Sequence, residues 1–109
     1  MAKSKFTLTA SPTFEATVAI PVPGKGLADV VFTFKHRDRK AFRELMDSLA
    51  TPDEERSDAS LVLDIASGWD LAEPFDAEHV EQMLERYMGS GQAILNTYIG
   101  EQTGARQKN

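Results

Sequence analysis

The chain has 109 residues, the size of one domain, with 41% hydrophobic and 27% charged residues and no cysteine. The lack of cysteine excludes disulfides, thiolate catalysis and cysteine-based zinc sites, and suits a reducing compartment. The net charge of −5 is divided unevenly, with eight Lys/Arg against five Asp/Glu in residues 1–50 and four against twelve in residues 51–109; an acidic balance argues against a dedicated nucleic-acid binder.

A domain of this length buries ~65% of the surface its unfolded chain exposes, enough for one core but not for a roomy enclosed substrate cavity. No apolar run approaches the ~20 residues that span a bilayer. The basic start, Met1 to Lys5, is not followed by an apolar stretch, so the expectation is a cytoplasmic chain without a secretory leader. Residues 1–5 and 104–109 are expected to be flexible ends of a single domain.

Phe6 and Leu8 are compatible with a short first strand, punctuated by Ser11-Pro12. From Phe14 to Val22 the pattern has a period of two, with Phe14, Ala16, Val18, Ile20 and Val22 on one face, which predicts a half-buried strand. Pro21 to Gly26 reads as a turn, and a second strand follows over Ala28–Lys35, with Val30, Phe32 and Phe34 on one face. The period then changes. Asp38 is a good N-cap for a helix carrying Phe42, Leu45, Met46 and Leu49, which Thr51-Pro52-Asp53 ends. Pro52–Ser57 is a charged linker. A second helix is expected over Asp58–Ser67, striped by Leu61, Val62, Ile65 and Ala66, with Gly68 as its C-cap. Gly68 to Phe75 reads as irregular. Asp76 caps a third helix striped by Val80, Met83, Leu84 and Tyr87, with Phe75 and Val80 at hydrophobic-staple spacing. Gly89-Ser90-Gly91 breaks the pattern, and a fourth helix covers Gln92–Gln102 with Ile94, Leu95, Tyr98 and Ile99, ended by Gly104. Strands followed by helices make an α+β fold: a small N-terminal antiparallel hairpin of two to three strands packed with about four short helices.

No enzyme constellation emerges. His36 lies among Lys35, Arg37, Arg39 and Lys40, whose charge disfavours a metal, and His79 matches no His-Glu-x-x-His spacing. Ser67 and Ser90 lack the frame of a nucleophile elbow, and Gly24-Lys25-Gly26 is too short for a phosphate loop. Asp70, Glu73 and Asp76 read as caps and loop residues. Lys35–Lys40 is the best hint of nucleic-acid binding, but Asp38 interrupts it and no aromatic stacking platform follows. No catalytic residue, metal or cofactor is therefore expected. Methionine suits adaptable binding surfaces, and Met88 beside Gly89-Ser90-Gly91 is out of place in a core. Met83, Tyr87, Met88, Leu95 and Ile99, on stripes flanking that glycine break, are the expected partner-contact residues.

The segments Lys5-Phe6-Thr7-Leu8-Thr9-Ala10-Ser11-Pro12-Thr13-Phe14 and Val18-Ala19-Ile20-Pro21-Val22-Pro23-Gly24 resemble the opening of the tail assembly chaperones of siphophages and prophages. The resemblance continues through Phe32–Arg37, Asp64–Leu71, Phe75–Val80 and Tyr98–Asn109, and is weakest at Pro52–Ser57. It rests on the order and spacing of these segments, with no single diagnostic motif. It implies a protein of the host cytoplasm, absent from the finished virion, that binds the tape measure protein and keeps its hydrophobic stretches soluble until tail tube subunits polymerise around it. It further implies a frameshift-extended form that recruits the tail tube protein. Self-association is expected too, a positive hairpin end meeting a negative helical end head to tail. The alternative is a minor structural tail or tail-completion protein, distinguishable because it would remain in purified virions.

Overall fold

The two alternating segments form strands β1 (Thr13–Val22) and β2 (Gly26–Lys35) in the computed structural model, which describes residues 4–51 and 56–105. The turn between them closes with the Lys25 amide donating to the Val22 carbonyl at 2.9 Å, and Gly24 and Gly26 take φ of 79° and 85°, angles that a Cβ would strain. The antiparallel register sets Phe14 opposite Phe34, Ala16 opposite Phe32 and Val18 opposite Val30. These pairs share one face, and Val18, Phe32 and Phe34 on it are completely buried.

The third strand is not the one expected from Phe6 and Leu8. Those residues lie in an irregular segment and protrude, 78% and 95% exposed. The ladder beyond β1 ends where the His36 amide donates to the Pro12 carbonyl at 2.9 Å; Pro12 has no N–H to continue it. Upstream, side chains take the backbone groups instead, Ser4 Oγ accepting from the Phe6 amide and Thr7 Oγ1 donating to the Thr9 carbonyl.

Helix α1 (Arg39–Ala50) starts where Asp38 Oδ1 accepts from the Ala41 amide at 2.9 Å. Its apolar stripe faces inward, Leu45 buried and Phe42, Met46 and Leu49 packed half-buried against the core. Thr51 leaves it in an extended conformation, as a residue before proline should; Pro52–Glu55 of the expected linker lie outside the described residues. Because α1 brings its backbone close to hardly any other element, its cap matters: Asp38→Ala is expected to cost about 1 kcal/mol, read as a lower urea midpoint.

Helix α2 (Asp58–Ile65) is capped by Ser57 Oγ, which accepts from the Ser60 amide at 3.1 Å. It ends two residues before the expected Ser67. Ala66 turns extended and begins strand β3 (Ala66–Trp69), which pairs antiparallel with β2 through Phe34↔Ala66, Thr33↔Gly68 and Phe32↔Trp69, giving the sheet order β1-β2-β3. Gly68 is therefore a strand residue and not the C-cap, a position taken by Ala66. The stripe of apolar residues ending in Ile65 and Ala66 suits either continuation, and the open edge of β2 decides it by pairing with the backbone.

Helix α3 (Ala77–Arg86) begins at Asp76, whose Oδ1 accepts from the His79 amide at 2.9 Å, and Tyr87 is its extended C-cap instead of part of its stripe. Helix α4 (Ser90–Thr103) starts earlier and ends later than its periodicity indicates. Gly89 and Ser90 join α3 to α4: the Ser90 amide donates to the Tyr87 carbonyl at 2.9 Å, and buried Ser90 Oγ donates to the Met83 carbonyl at 3.4 Å. A Cβ on Gly89 would stand 3.0 Å from Pro21 Cγ, so any larger residue here would have to move this corner or Pro21 apart by a few tenths of an ångström. Gly104, in the left-handed conformation at φ 71°, caps α4 as expected. The buried residues of strands and helices form one contiguous cluster. No helix among the described residues is long and apolar enough to cross a membrane.

Candidate partner-binding surface

Two open grooves flank α3, the first mainly apolar and the second of mixed character. The first, about 310 Å³, opens between the turn end of the hairpin and α3. Ile20, Val22, Ala28 and Val30 supply the sheet side, Met83 and Tyr87 the helix side, and Trp69 and Leu71 one end, while Glu73, His79, Gln82 and Arg86 add the polar groups. Trp69 is fixed from several directions. Its ring stands edge-on to Phe75 at 5.1 Å and to Phe32 at 5.9 Å, and its Nε1 donates to the Glu73 carbonyl at 2.8 Å. The following loop is tied to β2: the Asp70 amide donates to the Val31 carbonyl and Asp70 Oδ1 accepts from the Val31 amide, both at 3.0 Å. This wall is therefore set before any ligand arrives.

The second groove, about 250 Å³, lies on the other side of α3. Leu61 of α2, Leu84 of α3, Met88 just beyond it, and Gly91 and Leu95 of α4 line it, with Asp58 and Gln92 adding polar groups. A Cβ on Gly91 would meet Leu84 Cδ2 at 3.3 Å, so the Leu84 side chain would have to give way by a few tenths of an ångström. Met88 projects here, 89% exposed, where its unbranched side chain can adapt to another surface.

The five residues expected to touch a partner thus occupy different places. Met83 and Tyr87 line the first groove, Met88 and Leu95 the second, and half-buried Ile99 lines neither. The first groove is also lined by Trp69, Leu71 and the turn-end strand residues, which are not among those five. The signal available for them was the apolar pair Trp69 and Leu71 in a segment with no periodicity.

The acids near the first groove have structural tasks. Asp76 caps α3, and its carboxyl is held below the usual carboxylate range, first by the His79 amide and then by the His79 ring at 2.7 Å. Asp70 completes the ladder with β2. Among the described residues, no group of three or more His, Asp and Glu is placed to hold a metal ion.

The basic run serves the fold in part. Lys35 Nζ donates to the Leu63 carbonyl at 3.2 Å. Arg37 donates to the Tyr98 hydroxyl at 3.0 Å and pairs with Asp64 at 3.2 Å, while its backbone is clamped by Gln102, which accepts from its amide and donates to its carbonyl. The Tyr98 hydroxyl donates in turn to the Lys35 carbonyl at 2.9 Å. Burial raises the Tyr98 phenol above its ordinary value of 10.0, with Arg37 pulling the other way. The folded state therefore holds this proton more tightly than the unfolded chain does. The corresponding stability is complete below about pH 10 and is lost as pH rises through the raised value. A urea midpoint that declines above about pH 10, and declines less in Tyr98→Phe, is expected.

A family model described as phage tail assembly chaperone matches residues 1–109. No curated protein and no solved structure matches the chain.

Proposed function

The chain belongs to the phage tail assembly chaperone family, and on that premise we propose that it acts as a holdase for the tape measure protein, through the two grooves on either side of α3. The observation that supports this reading is the combination of an open apolar groove on one face of α3 and a mixed one on the other with an 89% exposed methionine, Met88, just beyond the helix end. Met83 and Tyr87 would grip an apolar client segment in one groove, and Met88 and Leu95 in the other, with Ile99 extending the contact along α4. Such a role needs reversible burial and no covalent chemistry, so the protein is not an enzyme in this reading.

Burial gains roughly 25 cal/mol per Å² of apolar surface, but association costs several kcal/mol, so one copy binds weakly. Many copies along one extended client turn weak contacts into avidity, and weak single contacts let tail tube subunits displace them in turn. The protein would act in the host cytoplasm, alone or beside a frameshift-extended form, and leave before the virion is complete. Affinity capture from cells co-expressing the chain with the tape measure protein tests the first part. Recovery of the tape measure protein supports the proposal; its absence from the captured material, with both proteins expressed, rejects it. Mass spectrometry of purified virions tests the second, and this chain should be missing.

A further inference from the structure

We infer that the first groove selects an amphipathic helix of the client whose apolar stripe is bracketed by a basic residue at one end and an acidic residue at the other, Glu73 receiving the first and Arg86 the second. This rests on the holdase reading and adds the class of segment that the groove takes. The groove has two unlike ends. At one, Trp69 Nε1 donates to the Glu73 carbonyl at 2.8 Å, and the Trp69 ring meets that of Phe75, just before α3, at 5.1 Å. At the other, α3 finishes beside the hairpin turn, where Gly89 lies against Pro21. Glu73 and Arg86 both line the groove and therefore stand at its opposite ends, each exposed. Neither the Glu73 carboxylate nor the Arg86 guanidinium has an ion-pair or hydrogen-bond partner among the described residues. Asp70 and Asp76, also at the first end, are already engaged by the Val31 amide and by His79. The free charges thus match a ligand with the opposite polarity along its length.

The walls favour a helix over an extended segment. The sheet side presents Ile20, Val22, Ala28 and Val30, side chains of one sheet face and not a strand edge. An extended segment would lay its backbone N–H and C=O groups on that apolar face unpaired, whereas a helix pairs its own. From Val30 to Gly26, the partner of Val22, is ~14 Å of strand, the length of about nine helical residues. The bracketing charges therefore sit roughly three helical turns apart. An exposed ion pair changes affinity only roughly two- to fivefold, so the charges discriminate among segments that the apolar walls already hold.

Three synthetic helical peptides test this. They share one stripe of Leu at i, i+3, i+4 and i+7 and differ in the residues that bracket it: Lys and Glu, Lys and Lys, or Glu and Glu. Fluorescence anisotropy titrations at low salt should show the wild-type chain binding the Lys/Glu peptide tightest, roughly two- to fivefold ahead of the other two. Glu73→Lys, which leaves the backbone carbonyl that Trp69 uses, should shift the preference to Glu/Glu. Arg86→Glu should shift it to Lys/Lys. High salt should shrink all these differences. The same order of peptides with all three proteins would overturn the inference and leave the holdase reading standing. No binding of any peptide to wild type would overturn it together with the first groove's part in that reading.

Discussion

Tyr98→Ala is expected to cost about 3–5 kcal/mol, a large share of the ~5–15 kcal/mol that holds a small domain together. The side chain is completely buried, and its ring centre lies within 5.4–6.2 Å of those of Phe14, Phe34 and Phe42. Those rings come from β1, β2 and α1, so one residue of α4 joins three elements. Truncation leaves a cavity and also strips the Arg37 guanidinium and the Lys35 carbonyl of a partner. Tyr98→Phe separates the two effects: the ring stays, and only about 1–2 kcal/mol should be lost, the cost of leaving polar groups unpaired. Urea unfolding of the two variants measures both. Equal losses would mean that the hydrogen bonds dominate over the packing.

Leu71→Glu combined with Met88→Glu should reduce tape measure binding more than tenfold, about 1.4 kcal/mol or beyond, while leaving the unfolding midpoint nearly unchanged. Each substitution puts a charge at the mouth of one groove, where a bound apolar segment would bury it without a partner. Both residues are exposed in the free protein, so the folded state loses little. Met88→Glu alone should give an intermediate loss, since the first groove is then intact. Binding is read by titrating the variants against an immobilised tape measure segment, and stability by urea unfolding. A full-strength interaction in the double variant would show that the client sits elsewhere.

Much of the fold was legible because its signals are local. The alternation of Phe14 to Val22 and of Val30 to Phe34, the caps at Asp38 and Asp76, and the left-handed Gly104 each follow from a few neighbouring residues. The failures are tertiary. Ala66 to Trp69 carry no strand period; they are extended because β2 has an edge to be paired. Phe6 and Leu8 have the alternation of a strand but meet no such edge. Gly89-Ser90-Gly91 looked like a break, yet the two residues after Gly89 open α4, since a glycine corner against Pro21 and a buried serine hydroxyl fix the start of the helix there.

The grooves of the proposed partner surface were half legible for the same reason. Met88 stood out because glycine flanks an apolar side chain, and it is the most exposed of the five expected contact residues. The stripes of α3 and α4 contain both core and groove residues, and periodicity cannot divide them. Met83 and Leu84 are neighbours in sequence but line opposite grooves, because successive helical residues are turned by about 100°. Trp69 and Leu71 entered the first groove only once β3 had carried them beside the hairpin.

The central claim is that apolar side chains beside α3 keep another polypeptide in solution. The fraction of tape measure protein left in the supernatant after co-expression measures this directly. With the wild-type chain the tape measure protein should stay soluble, and with the Leu71→Glu/Met88→Glu variant, expressed to the same level, it should pellet. Tape measure protein that remains equally soluble with the variant, or with no chaperone at all, would contradict the account.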